Sequence, residues 1–340
     1  MANMTIYALA KELNMSPSMV SRAFNPEGKI NEEKRRLVLE TAKKYNFSPN
    51  KFASRLSMRT IKIGILIRSG FKINADKMVS GIKSAYEMLK DYKIKYEITI
   101  FDAGQKQLRD YEKILLKYAE YDGIIVAGLS SKKYTPLLKR VYEINKNIVQ
   151  VHGINNDAEH LFASKLNEET AANLAAEFLY NSLKFSNKKD VVLFTGDKES
   201  SVHRSAEIFF KNACLKFGLN ILESVDMKDS AECLSEVVPR IFSKYDVKGI
   251  HITSGVSAPL CKYLEDGGLD IPLVGFDTYS EIKEYLEKGV FSATIAQNIS
   301  GQMQNAFEAL VKYIINGEAV EKVIYTDVQL VLKSNRHQFE

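Results

Sequence analysis

From Ile61 onward, short apolar runs alternate with amphipathic stretches long enough for three to five helical turns. The runs predict strands near 61–67, 94–101, 122–127, 147–152, 190–195, 220–226, 248–252, 271–275 and 291–296. The intervening stretches repeat apolar residues at helical spacing. They predict helices near 75–91, 106–119, 134–145, 168–183, 202–217, 230–243, 257–266 and 279–288. This repeated strand–helix rhythm means parallel sheet with helices on both faces. So long a body divides better into two sheets, each with its own core, than into one. A long helix near 300–316 ends at Gly317, and the alternation from Val323 to Leu332 predicts one added strand.

Residues before Ile61 follow another pattern, that of three short helices. Thr5 caps the first, over 5–13, with Ile6, Leu9, Ala10 and Leu13 on one face. Asn14 suits a left-handed turn. Ser16 caps the second helix, with Pro17 at its first position, and Val20 and Phe24 point inward. Asn31 caps the third, whose inner face is Leu37, Val38, Thr41, Ala42 and Tyr45. Ser48-Pro49-Asn50 ends it. The polar stretch that follows has room for one or two helical turns, too few to be stable alone, so it is expected to order on a partner. The domains are therefore expected at 1–48, 49–60 and 61–340. Within the body, lobe one is expected over about 61–157 and 295–320, and lobe two over about 158–292 and 323–340.

Composition narrows the class. Of 340 residues, 45% are hydrophobic and 26% charged, as in ordinary globular proteins. No apolar run approaches the roughly 20 residues of a membrane span, and the first residues lack a secretory apolar segment. The three cysteines have no metal-ligand spacing. A cytoplasmic protein without membrane, metal or cofactor is expected. The charge is uneven: residues 1–60 hold 11 Lys/Arg against 5 Asp/Glu, a net +6, and the rest is −1. A basic module on a near-neutral body suits a polyanion.

The first two helices have helix-turn-helix shape, which lays the second in the major groove of DNA. Arg22 can fork onto a guanine edge, and Ser18 can donate or accept there. A small helical bundle that binds protein is the alternative. An enzymatic reading is poor. G-x-x-x-x-G-K-[ST], G-x-G-x-x-G and G-x-S-x-G are all absent, and the five histidines are scattered.

The stretch TIYALAKELNMSPSMVSRAFN (5–25) resembles the signature of the lactose-repressor (LacI/GalR) family of bacterial transcription regulators. The likeness continues through KINEEKRRLVLETAKKYNFSPNKFASRL (29–56) and TIKIGIL (60–66). It implies an all-α helix-turn-helix head plus a hinge helix, joined to a two-lobed α/β body of periplasmic-binding-protein type I with parallel sheets. By the same resemblance Pro17, Ser18 and Arg22 read bases, and Thr5, Tyr7, Ser16, Ser21 and Asn25 touch phosphates. Residues 50–56 match the hinge helix, with Ala53 and Leu56 facing the minor groove. A leucine wedge there kinks DNA at a cost of a few kcal/mol.

DGIIVAG (122–128), VVLFTGDKESSVHRSAEIFF (191–210), IPLVGFD (271–277) and ATIAQN (293–298) carry the body's likeness. Ligands of such sheets sit at the carboxyl ends of the strands. The resemblance implies effector contacts at Arg204, Asp277 and Gln297. His152-Gly153 stands where the family has Asp-Arg, and Ser254-Gly255 where it has Asn-Asp. An aromatic pair after the first strand is also missing. Asn155 and Asn156 are expected to supply contacts instead. The implied function is a repressor-type regulator, a homodimer on a pseudo-palindromic double-stranded DNA operator, controlled by a small sugar-like effector in the interlobe cleft. Ligand would either release or promote DNA binding. A solute-binding protein with an incidental basic head is the competing reading.

Overall fold

The computed structural model describes residues 5–24, 28–45, 47, 59–102, 107–277 and 279–339. The chain divides into a head through Thr60 and a body from Ile61, the turn at 90–93 aside.

The described part of the head holds helices α1 (Ile6–Glu12), α2 (Pro17–Ala23) and α3 (Glu32–Lys44). Each begins where a side chain satisfies an orphan backbone N–H. Thr5 accepts from the Ala8 N–H, Ser16 from Met19, and Asn31 from Glu33 and Lys34. Asn14 takes the left-handed conformation, φ 48°, in the α1–α2 turn. Leu9, Ala10, Val20, Ala23, Val38 and Ala42 form the core. Leu37 and Tyr45, expected inside, are largely exposed; Tyr45 reaches Glu12 through its hydroxyl instead. Arg35 donates to the carbonyls of Ala23 and Gly28 and ties α3 to the end of α2. Of the expected contact residues, Asn25, Ala53 and Leu56 lie outside the described residues.

The body has two six-stranded sheets among the described residues. The first joins β1 (Ile61–Ser69), β2 (Ile94–Asp102), β3 (Gly123–Ala127), β4 (Ile148–Val151), β5 (Phe162–Leu166) and β11 (Val323–Thr326) in the order β11-β5-β4-β3-β1-β2, all parallel. The second joins β6 (Asp190–Thr195), β7 (Asn220–Asp226), β8 (Gly249–Ile252), β9 (Leu273–Phe276), β10 (Ala293–Ala296) and β12 (Gln329–Val331) in the order β12-β10-β9-β8-β6-β7. Only β12 runs antiparallel to its neighbour.

The expected lobe boundaries need correcting at three places. The strand at 162–166 was not expected, because Ser164 and Lys165 interrupt a run of only five residues. It belongs to the first sheet, not to lobe two. The strand at 293–296 lies in the second sheet. The tail, expected as one strand of lobe two, is two strands, and the first of them completes the first sheet. The chain thus crosses between lobes at 166–168, 296–299 and 326–329.

Helices cover both faces of each sheet. In the first lobe these include α4 (Lys72–Met88), α5 (Leu108–Ala119), α6 (Thr135–Ile144) and α12 (Ile299–Asn316). Tyr111, Leu115, Tyr118 and Val141 close on Leu66, Ile124 and Val126 in one core layer. In the second lobe, α7 (Glu168–Ser182) and α8 (Ser201–Phe217) cover one face. The other face carries α9 (Ala231–Lys244), α10 (Ala258–Asp266) and α11 (Ser280–Lys288).

Candidate DNA-reading head and effector cleft

The head presents its expected contact residues on and around α2. Ser16, Ser18, Ser21 and Arg22 are exposed and Pro17 is half-buried. Thr5 is exposed, and Tyr7 on α1 is 72% exposed, unusual for so large an apolar ring. The caps engage oxygen lone pairs of Thr5 and Ser16, which leaves each hydroxyl hydrogen able to donate. Ser16 Oγ also stands 3.1 Å from Ser18 Oγ. Arg22 lies in the last turn of α2, where a cation complements the helix dipole. Arg22→Ala is expected to weaken binding to the cognate site by about 1–3 kcal/mol and relax preference at one base pair per half-site. Titration of single-base operator variants checks this. An equal loss on every sequence would make Arg22 a phosphate contact.

In the body, a cavity of about 1250 Å³, its open mouth included, lies between the two lobes. The first lobe lines it with Arg68, Ser69, Phe71, Asn74, Ser130 and His152, and the second with Asp197, His203, Asp229, Thr253, Asp277 and Gln297, among others. Most of these follow the carboxyl ends of strands, the edge at which open parallel sheets bind ligands. The lobes touch beside it. Ser130 Oγ stands 3.2 Å from Ser200 Oγ, Ser201 Oγ donates to the Ile154 carbonyl at 2.7 Å, and the Phe71 and Tyr279 rings lie 6.0 Å apart.

Asp277 is buried directly after β9, held in the left-handed conformation at φ 64°. Its Oδ2 accepts from Gln297 Nε2 at 2.7 Å and from the Tyr279 hydroxyl at 3.2 Å. Asp229, in the turn after β7, has φ 51°. It accepts from Ser254 Oγ at 2.8 Å and from the Asp197 N–H at 3.2 Å, and it lies 3.3 Å from His203 Nε2. Burial works to raise its pKa, but these partners outweigh burial and hold it at about 2. His152, after β4, has φ 71°, and burial lowers its pKa, so it stays neutral. Left-handed backbone costs a residue with a Cβ about 1–2 kcal/mol, and three such residues line this one cavity.

Two expected contacts meet here and three do not. Asp277 and Gln297 share a hydrogen bond in the cavity wall. Arg204 does not line it; its guanidinium donates to the carbonyls of Lys198 and Glu199 and braces the loop before α8. One residue turns about 100° around a helix, and it is the preceding His203 that faces the cavity. Asn155 is buried beneath the wall, where Thr135, Ser131 and Gln150 use its polar groups. Asn156 is exposed and outside the lining. The expectation missed Asp229, Tyr279 and Phe71. Asp229 stands just past the carboxyl end of β7, so the strand-end rule could have found it.

Behind the cavity, Glu207 accepts from Lys198, Lys211 and Ser224. Burial raises its pKa, but these partners prevail and bring it to about 2. A depressed carboxyl stabilises the fold above its unfolded pKa and loses that contribution as pH falls through its folded value. The body is therefore expected to lose stability between about pH 5 and pH 2, with Glu207 contributing up to about 3 kcal/mol. Thermal melts across this range check it, and Glu207→Gln should flatten the acid slope.

Residues 73–319 match the periplasmic binding protein domain family. The HTH-type transcriptional regulator pepR1 of Lactobacillus delbrueckii subsp. lactis is 26% identical over 277 residues, 79% of this chain and 78% of that one. Catabolite control protein A of Priestia megaterium is 26% identical over 292 residues, 81% and 82% of the two chains. The chain belongs to the periplasmic binding protein domain family and is similar in sequence to transcription regulators of the LacI family. The lac repressor dimer bound to operator and the anti-inducer ONPF superposes on this chain with TM-score 0.66 at 17% identity, over 96% of this chain and 97% of that one. The glucose-galactose binding protein GanP from Geobacillus stearothermophilus matches at TM-score 0.71 and 21% identity, covering 82% of this chain and 99% of its own. These two likenesses are of fold. Among the described residues no helix is long and apolar enough to cross a membrane.

Proposed function

We propose that the protein is a repressor that binds a pseudo-palindromic operator as a homodimer, and that a small polyhydroxylated effector in the interlobe cleft controls it. The observation that carries this reading is the pairing of Asp277 with Gln297 in a cavity lined by both lobes. A ligand that bonds both walls favours one spacing of the lobes. It shifts operator affinity by its difference in affinity for the two spacings. One helix-turn-helix reads only a half-site, so two copies are needed. Exposed apolar residues on one helix of each lobe suit a dimer contact: Ile73 and Met88 on α4, Ile208 and Leu215 on α8. The solved solute-binding proteins of like fold include ones in complex with D-arabinose, which favours a polyol over other classes.

Selection of bound fragments from the source genome, with and without candidate sugars, identifies operator and effector together. Operator affinity should fall steeply with salt, each neutralised phosphate adding about 0.9 to the slope of log K against log salt. Effector affinity should change little. A flat salt response of specific DNA binding would remove the phosphate contacts assigned to the basic head.

A further inference from the structure

The walls of the cleft differ in charge. Its lining carboxylates are Glu168, Asp197, Glu199, Asp229 and Asp277, and its lining Lys and Arg residues are Arg68 and Lys133. Glu168 is paired with Lys165 at 2.8 Å. The other four carboxylates stand on the second-lobe wall, where His203 lies 3.3 Å from Asp229, and Arg68 and Lys133 stand on the first-lobe wall. Tyr279 donates its hydroxyl to Asp277 Oδ2 at 3.2 Å. Burial pushes its phenol well above the usual value, and both Asp277 and Asp229 push it further. His152 faces the same region but is held neutral by burial, so it brings no compensating charge.

A second observation is independent of charge. Asn74, on α4 of the first lobe, is only 8% exposed and lines the same cavity, yet its Oδ1 has no hydrogen-bond partner. A buried acceptor left unpaired costs free energy that a donor in the cleft would recover.

We propose that the effector carries an ammonium group, received by the carboxylates of Asp277 and Asp229 on one side and by Asn74 Oδ1 on the other. The inference rests on the reading of the cleft as the effector site. An ammonium offers three donors and no acceptor, which is what a wall of oxygen acceptors lacks. It also supplies a positive charge beside buried Asp277, whose hydrogen bonds come from the neutral Gln297 and Tyr279, whereas Asp229 already has His203 at 3.3 Å. A hydroxyl would satisfy Asn74 but leave the wall's charge uncompensated. A phosphate ester would add to it, and the first-lobe cations are poorly placed to help. Arg68 lies over the Tyr134 ring and reaches the Gly128 carbonyl, and Lys133 is exposed.

Calorimetric titration of the full-length protein tests this with glucosamine, N-acetylglucosamine, glucose, glucose 6-phosphate and L-serine. An amine should bind about tenfold or more tightly than its uncharged counterpart. Preference for glucosamine identifies an amino sugar, and preference for L-serine an amino acid. Asp277→Asn and the isosteric Asp229→Asn should each lose this preference, with thermal melts confirming that both variants fold. If glucosamine and N-acetylglucosamine bind equally and Asp277→Asn weakens both, the ammonium inference falls and the cleft remains the effector site. If binding survives Asp277→Asn, Asp229→Asn and Asn74→Ala together, both readings fall. Failure of both amines to bind at millimolar concentration also overturns the ammonium inference.

Discussion

Gly81→Ala is expected to destabilise the body by about 3 kcal/mol or more, the upper end of overpacking costs. Gly81 lies where α4 packs on α12. A Cβ there would sit 2.1 Å from the Ser300 carbonyl oxygen and 3.1 Å from the Gln304 nitrogen. Both atoms are backbone, so no rotamer change relieves the clash and the helices must part. For a body of this size such a loss lowers the melting temperature by roughly 6–12 °C. Gly218→Ala is the natural control. Gly218 ends α8 at φ 73° with open space around it, so alanine there meets backbone strain alone, about 1–2 kcal/mol. Melting curves of the two variants separate the effects. If Gly81→Ala melted with the parent, the close approach of α4 and α12 would be wrong.

Asp277→Ala should abolish the effector's influence on operator binding and leave operator affinity without effector nearly unchanged. Its carboxylate organises the cavity wall through Gln297 and Tyr279. Its backbone has separate work: the Asp277 N–H donates to the Ile295 carbonyl and Thr294 Oγ1 donates to the Asp277 carbonyl. Alanine keeps both of those bonds, so β9 and β10 should stay joined. The left-handed backbone adds about 1–2 kcal/mol of strain, which a thermal melt would register. The decisive measurement is an operator titration of the variant with and without effector. A variant that responded like the parent would move the ligand elsewhere.

What the sequence disclosed was mostly local. Thr5, Ser16 and Asn31 cap helices because their oxygens reach N–H groups two or three residues on, a relation fixed by spacing alone. Asn14 accepts a left-handed turn for the same short-range reason. Strands of four or five apolar residues between amphipathic helices were equally plain. The failures lie where distant partners decide. Phe162–Leu166 is a strand because β4 and β11 flank it, not because its residues alternate strongly. Arg204 and Asn155 have the right chemistry for a polyol, yet nearby backbone and side chains already use their polar groups. His203, Asp229 and Tyr279 come from three separate loops and helices of the second lobe. Asp229 could be read from its place after β7, but that His203 and Tyr279 share its wall shows only in the folded sheet.

The two tail strands set an order for synthesis. β11 closes the first sheet against β5, and β12 closes the second against β10, both from residues that follow every other described strand. On the ribosome, then, neither sheet can gain its last strand until the residues from Val323 onward have been made. Until that moment β5 and β10 each offer a bare row of backbone donors and acceptors, open to pairing with another nascent chain. A message broken before the codon for Val323 would leave both edges open permanently. Its product should be cleared or aggregate rather than persist as a folded protein that has lost only its tail.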